Sequence, residues 1–163
     1  MITFEEFDAL LDCFENPCDA FDYAHFAFKS HLANARNDFS PVVIALSYLG
    51  ALIDKGHKHE TLVYLDECES DCRQDPENEI AISVRGRIMS YRIDMLLICH
   101  KWALAEKESL KAFDWMKEHT DFFPESCGSH LDIRRSYVIA LRKRRKTKEA
   151  VIQEKIIADL EID

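Results

Sequence analysis

The chain repeats itself, and the repeat limits its fold more than any other feature. Ser47-Tyr48-Leu49-Gly50-Ala51-Leu52 is echoed by Ser90-Tyr91-Arg92-Ile93-Asp94-Met95 and by Ser136-Tyr137-Val138-Ile139-Ala140-Leu141. In each copy an aromatic residue is followed four later by an apolar one, and nine or ten beyond that by a small one. The three sets are Tyr48, Leu52 and Thr61; Tyr91, Met95 and Ala105; and Tyr137, Leu141 and Ala150, with Phe7, Leu11 and Ala20 as a weaker first copy. The period is 41 to 46 residues. Residues four apart share a helix face, and a small residue early on the next helix lets two backbones approach closely. Each copy therefore reads as an αα-hairpin, which cannot bury both faces alone and stacks on its neighbours.

Local signals agree with helices throughout. Four Gly and four Pro in 163 residues fall well below the roughly 7 % and 5 % of average proteins, so long helices are expected in place of many strands and turns. Thr3 and Glu6 are spaced as a capping box before a helix at about 4 to 14, Asn16-Pro17 starts a second running to about Arg36, and Ser40-Pro41 starts a third at about 41 to 55 that Gly56 ends. Further helices follow at about 59 to 74, 78 to 99 (capped by Asn78), 102 to 118, 131 to 145 and 148 to 161 (capped by Thr147). The inner stripes are read as Phe4, Phe7, Leu10, Leu11 and Phe14; Phe21, Ala24, Phe28, Leu32 and Ala35; Leu62, Leu65 and Cys72; and Ile88, Tyr91, Met95 and Ile98. The expected fold is all-α, one domain over 1–163, with about eight helices in four stacked antiparallel hairpins; a closed helical bundle is the alternative.

The aromatic, apolar and small positions resemble those of the tetratricopeptide family and its looser relatives. The repeats here exceed that family's 34 residues by about ten, and Tyr48-Leu49 and Tyr137-Val138 stand where the family has Leu-Gly. The resemblance implies protein recognition without chemistry.

Address and charge narrow the role. Met1-Ile2-Thr3-Phe4-Glu5-Glu6 turns acidic where a secretion leader would be basic, and the apolar run Val42 to Ile53 is short of the roughly 20 residues a membrane span needs. A cytoplasmic protein with no membrane role is expected, its six cysteines kept as thiols. Net charge is -9, with 17 acids against 5 bases over residues 1–80 and 13 against 16 over 81–163. Such an acidic first half repels polyanions and steers basic partners toward itself.

No phosphate loop, His-Glu-x-x-His or nucleophile elbow occurs, so no enzyme and no cofactor is expected. His57 and His59 lie close in sequence to Cys68 and Cys72, and together with Cys13 and Cys18, which flank the first turn, these could hold a tetrahedral metal, but the spacing follows no zinc pattern, and a core stripe also produces an i,i+4 cysteine pair. The basic run Arg142-Lys143-Arg144-Arg145-Lys146, with Arg134, Arg135 and Lys148, would suit phosphates, yet cations also suit a helix C-terminus, and nucleic acid is disfavoured. The partner-binding candidates are Asp66, Glu67, Glu69, Asp71, Asp75, Glu77 and Glu79, read as a solvated carboxylate face, and Phe122 and Phe123, which are anchors if exposed and a plug between helices if not. The expected function is an acidic inhibitor of the immunity kind, made by a bacterium, that covers a basic toxin, possible nucleases included. A secretion chaperone or adaptor of tetratricopeptide type is the alternative, and oligomeric state is left open.

Overall fold

The computed structural model describes residues 3–14, 16–35 and 40–161. It is all-α, 79 % helical, without a strand among the described residues. The helices are α1 (Phe4–Leu11), α2 (Pro17–Asn34), α3 (Ser40–Asp54), α4 (Lys58–Arg73), α5 (Glu79–Ile98), α6 (Trp102–Lys117), α7 (Gly128–Lys143) and α8 (Thr147–Leu160). The expected end of the second helix at Arg36, and the side chains of Phe4 and Glu5, lie outside the described residues.

Side chains that satisfy orphan amides set several of these ends. Thr3 Oγ1 accepts from the Glu6 amide at 3.2 Å, and the Glu6 carboxylate in turn accepts from the Thr3 amide at 2.6 Å. Asn16 caps α2 through the Cys18 amide, with Pro17 in the first turn where no amide is missed. Asn78 Oδ1 accepts from the Ile80 and Ala81 amides at the start of α5. Two starts differ from expectation: α7 begins at Gly128, and Lys146 holds the N-cap of α8, making Thr147 its first helical residue.

One turn occurs three times. Gly56, His100 and Arg145 adopt φ of 95°, 58° and 61°, the left-handed conformation that closes a helix. Each donates its amide three residues back, to Ile53, Leu97 and Arg142, and the following residue donates five back: His57 to Leu52 at 3.0 Å, Lys101 to Leu96 at 2.8 Å, Lys146 to Leu141 at 2.9 Å. His57, Lys101 and Lys146 are then the N-caps of α4, α6 and α8, and their carbonyls accept from Thr61, Ala105 and Ala150. These three small residues are all 0 % exposed, as close backbone approach requires.

The turn also corrects the register of the middle copy. Leu96, not Met95, takes the role of Leu52 and Leu141, so Arg92 and not Tyr91 is the counterpart of Tyr48 and Tyr137. Tyr91 is half-buried, whereas Tyr48 and Tyr137 are buried. Next to the turn the three copies bury matching positions: Leu49, Ala51 and Leu52; Ile93, Met95 and Leu96; Val138, Ala140 and Leu141.

The chain divides into two compact units, Met1–Arg85 and Gly86–Asp163, with the boundary inside α5. In the first, α1 packs on α3, α2 packs on both α3 and α4, and α3 on α4. Phe7 stacks on Tyr48 with ring centroids 4.2 Å apart, and the buried Tyr64 hydroxyl donates to the Ala24 carbonyl at 3.0 Å. In the second, α7 packs against α6 and α8. There Gly86 lies in a helix interior, where glycine costs about 1 kcal/mol relative to alanine, because the Phe123 ring occupies the space a Cβ would need, 2.3 Å away.

Some stripes shift from expectation. Leu10 and Ile98 are exposed, and α4 turns Thr61, Tyr64, Leu65, Cys68, Glu69 and Cys72 inward with Leu62 only half-buried. The α4 stripe is rotated because Tyr64 faces α2, where its hydroxyl meets Ala24, which brings Cys68 and Glu69 inward.

Candidate functional site: the acidic face of the first unit

Charge divides where the fold divides. The first unit carries 17 acids against 6 Lys and Arg, net -11, and the second carries 13 against 15, net +2. On α4, whose inward face is fixed by Tyr64, Leu65, Cys68 and Cys72, the opposite face presents Glu60, Val63, Asp66, Glu67, Ser70 and Gln74 to solvent. At about 100° per residue these fall on one side of the helix, and Asp75, Glu77 and Glu79 extend the acidic, exposed surface through the turn into α5.

The predicted carboxylates are not equivalent. Glu69 is 5 % exposed, and its Oε1 accepts from Arg73 Nη2 at 2.6 Å and from Arg85 Nε at 3.2 Å. Burial pushes its carboxyl up, but Arg73 and Arg85 outweigh that and hold it below the usual glutamate range. Expecting Glu69 on the solvated face was therefore incorrect: it is a core carboxylate satisfied by two guanidinium groups.

Asp71 is mostly covered as well and holds α2 to α4. It accepts from His25 Nε2 at 2.7 Å, with Lys29 Nζ 3.6 Å away, while Glu67 lies 3.2 Å from His25 Nδ1. A carboxylate only accepts, so Nε2 carries the proton given to Asp71. Asp75 accepts a 3.3 Å bond from Asn78 Nδ2. Asp66, Glu67, Asp75, Glu77 and Glu79 thus form the outward set, joined by Glu60 and Val63, which belong to the same face by helical geometry.

The other candidates are placed differently. Phe123 is 5 % exposed, packed on Trp115 and under Gly86, and Phe122 is half-buried. Phe123 therefore fills the plugging role. Cys68 and Cys72 are buried, Cys13 and Cys18 exposed, and Cys99 and Cys127 half-buried. Burial pushes the Cys72 thiol up to about 12 and the Cys68 thiol higher still, which disfavours the thiolate a metal needs. Among the described residues no group of three or more His, Cys, Asp or Glu is arranged to hold a metal.

The basic run is tied to neighbouring helices of the second unit. Arg144 and Lys146 reach the two oxygens of Glu106 at 2.5 and 2.6 Å, Arg142 pairs with Glu154 at 2.6 Å, and Lys143 lies 5.6 Å over the Trp102 ring. Arg135 bridges Asp132 and Glu161. Among the described residues no helix is long and apolar enough to cross a membrane. No family model, curated protein or solved structure matches this chain.

Proposed function

We propose that the chain is a protein-binding module without catalysis, which offers the acidic outer face of its first unit to a basic protein in the manner of an immunity protein covering a toxin. The observation that carries this is the coincidence of charge with architecture: a net charge of -11 is confined to one compact unit, and six of its exposed carboxylates, Glu60, Asp66, Glu67, Asp75, Glu77 and Glu79, lie along α4 and the turn beyond. Such a surface gives carboxylate oxygens to Lys and Arg donors, and a concentrated field of one sign raises encounter rates by 10- to 1000-fold. The recurring turn and its buried small residues support reading the hairpins as an elongated tetratricopeptide-like repeat, an architecture suited to presenting a surface.

The test uses the whole protein as bait in a lysate of its native host, beside a variant carrying Asp66→Lys, Glu67→Lys, Asp75→Lys, Glu77→Lys and Glu79→Lys. Glu69 and Asp71 stay native because reversing them would break internal pairs. The expected result is one basic protein retained by the native chain and lost by the variant. Equal retention by a correctly folded variant, or retention only of short unfolded peptides, contradicts the inhibitor reading, and the latter favours the chaperone alternative.

A further inference from the structure

Among the described residues, three that carry a full charge at neutral pH are buried as whole residues, at 8 % exposure or less: Glu69, Glu106 and Arg134. Buried charges are ordinarily paired, because an uncompensated one in a poorly polarisable interior is strongly unfavourable. Glu69 has Arg73 and Arg85, and Glu106 has Arg144 and Lys146. Arg134, on α7, is paired with no carboxylate among the described residues. Its Nη1 donates to Gln153 Oε1 at 2.7 Å, and its guanidinium carbon lies 5.0 Å over the Phe113 ring, so one edge and one face of the group are occupied by neutral partners.

The remaining edge is the one suited to an anion. Nε has no partner, and Nη2 has only His130 Nε2, at a long 3.4 Å. Nε and Nη2 point the same way and together form the fork that grips a carboxylate or phosphate through two parallel bonds. His130 is itself 4 % exposed with Nδ1 outside hydrogen-bond geometry, and the backbone of Phe123 and Pro124 acts on its ring. His130 lies in the first turn of the 16-residue α7 and Arg134 one turn further on; the N-cap, Cys127, makes no side-chain cap, and side chains on a helix lean toward its N-terminus, where the backbone dipole is positive. The charge of Glu125, an exposed residue of the loop before α7, acts on both groups from outside.

We propose that Arg134, assisted by His130 and the positive end of α7, binds a small oxyanion, a carboxylate or a phosphate group, on its buried, unpartnered Nε/Nη2 edge. The long Arg134–His130 contact is the one the anion replaces. This site lies in the second unit and is independent of the acidic face.

The probes are inorganic phosphate and acetate, each titrated at constant ionic strength against chloride while the melting temperature of the full chain is followed, for the native protein and for Arg134→Met. A saturable rise is expected in the native chain and none in the variant; at a hundred times the half-saturating concentration the folding equilibrium shifts about 100-fold. Whichever of the two anions acts identifies the ligand chemistry. In chloride alone Arg134→Met is expected to melt no lower than the native chain, since it removes an uncompensated buried charge of similar volume. Should the variant fail to fold, phosphorus NMR line broadening of inorganic phosphate by the native protein gives the answer directly. Absence of any effect of either anion on the native chain, or an equal rise in native and variant proteins, overturns the site.

Discussion

Replacing Arg145 by glycine should stabilise the protein, an unusual outcome for removing a long side chain from the end of a helix. Arg145 sits at φ 61°, a conformation that costs a residue with a Cβ roughly 1–2 kcal/mol. Glycine adopts it freely but loses roughly 0.5–1 kcal/mol more chain entropy on folding, which leaves a net gain of about 0.5–1 kcal/mol. For a chain of this size that raises the melting temperature by about 1–4 °C. Arg145→Ala keeps the strained conformation and should show no gain, which separates backbone relief from loss of charge. The same turn supplies the reverse experiment: Gly56 has φ 95° and nothing within 4 Å of an added Cβ, so Gly56→Ala isolates the backbone term and should cost about 1 kcal/mol. His100→Gly should gain less than Arg145→Gly, because it also removes the ring contact with Trp102 at 5.1 Å. Thermal unfolding followed by far-ultraviolet circular dichroism measures all four. An Arg145→Gly variant no more stable than Arg145→Ala, or a neutral Gly56→Ala, would refute the shared left-handed turn.

Four further outcomes follow from buried groups and close packing. Glu106→Gln leaves Arg144 and Lys146 with a neutral partner and should lower stability by about 1–3 kcal/mol in urea unfolding, with Arg142→Gln, at an exposed pair, doing much less. Because Glu69 and Glu106 are both held below the ordinary glutamate value of 4.5, their stabilisation is complete above that pH and is lost as pH falls through their lower folded values; an acid titration of the native chain should steepen there, and less so in Glu106→Gln. Asp94 behaves oppositely: burial raises its carboxyl above 3.8 although the Ser136 hydroxyl donates to it at 2.5 Å, so its ionisation opposes folding as pH rises, and Asp94→Asn should stabilise the protein at neutral pH but not below 3.8. Gly86→Ala should destabilise by about 1–3 kcal/mol despite better helix propensity, because the Phe123 ring is in the way, and Phe123→Leu in the same chain should recover most of the loss.

Helix ends were legible in the sequence because local chemistry decides them. Asn16-Pro17, Gly56 and Asn78 act on amides or dihedrals within a few residues, and the small residues Thr61, Ala105 and Ala150 mark the closest helix approach whatever surrounds them. The middle register was misread because aromatic identity was matched ahead of spacing. The intervals from the apolar to the small position run nine, ten and nine with Met95, and nine throughout with Leu96, so the correction was present in the numbering. Glu69 was misplaced because its burial depends on Arg85, which is 16 residues away on another helix. Glu106 and its partners are separated by 38 and 40 residues. No local pattern announces such pairs, nor the missing carboxylate at Arg134. The rotation of the α4 stripe likewise follows from which neighbour Tyr64 meets, a choice made by packing.

Steering by the acidic face is tested most directly by the association rate between this protein and the basic partner its native host supplies, measured by stopped flow as ionic strength rises from about 0.05 to about 0.5 M, over which the screening length falls from well above to well below 10 Å. The rate should drop at least about tenfold for the native chain and change little for a neutralised variant carrying Asp66→Asn, Glu67→Gln, Asp75→Asn, Glu77→Gln and Glu79→Gln. Equal salt dependence in the two proteins, or a native rate indifferent to salt, would contradict the assignment of that face.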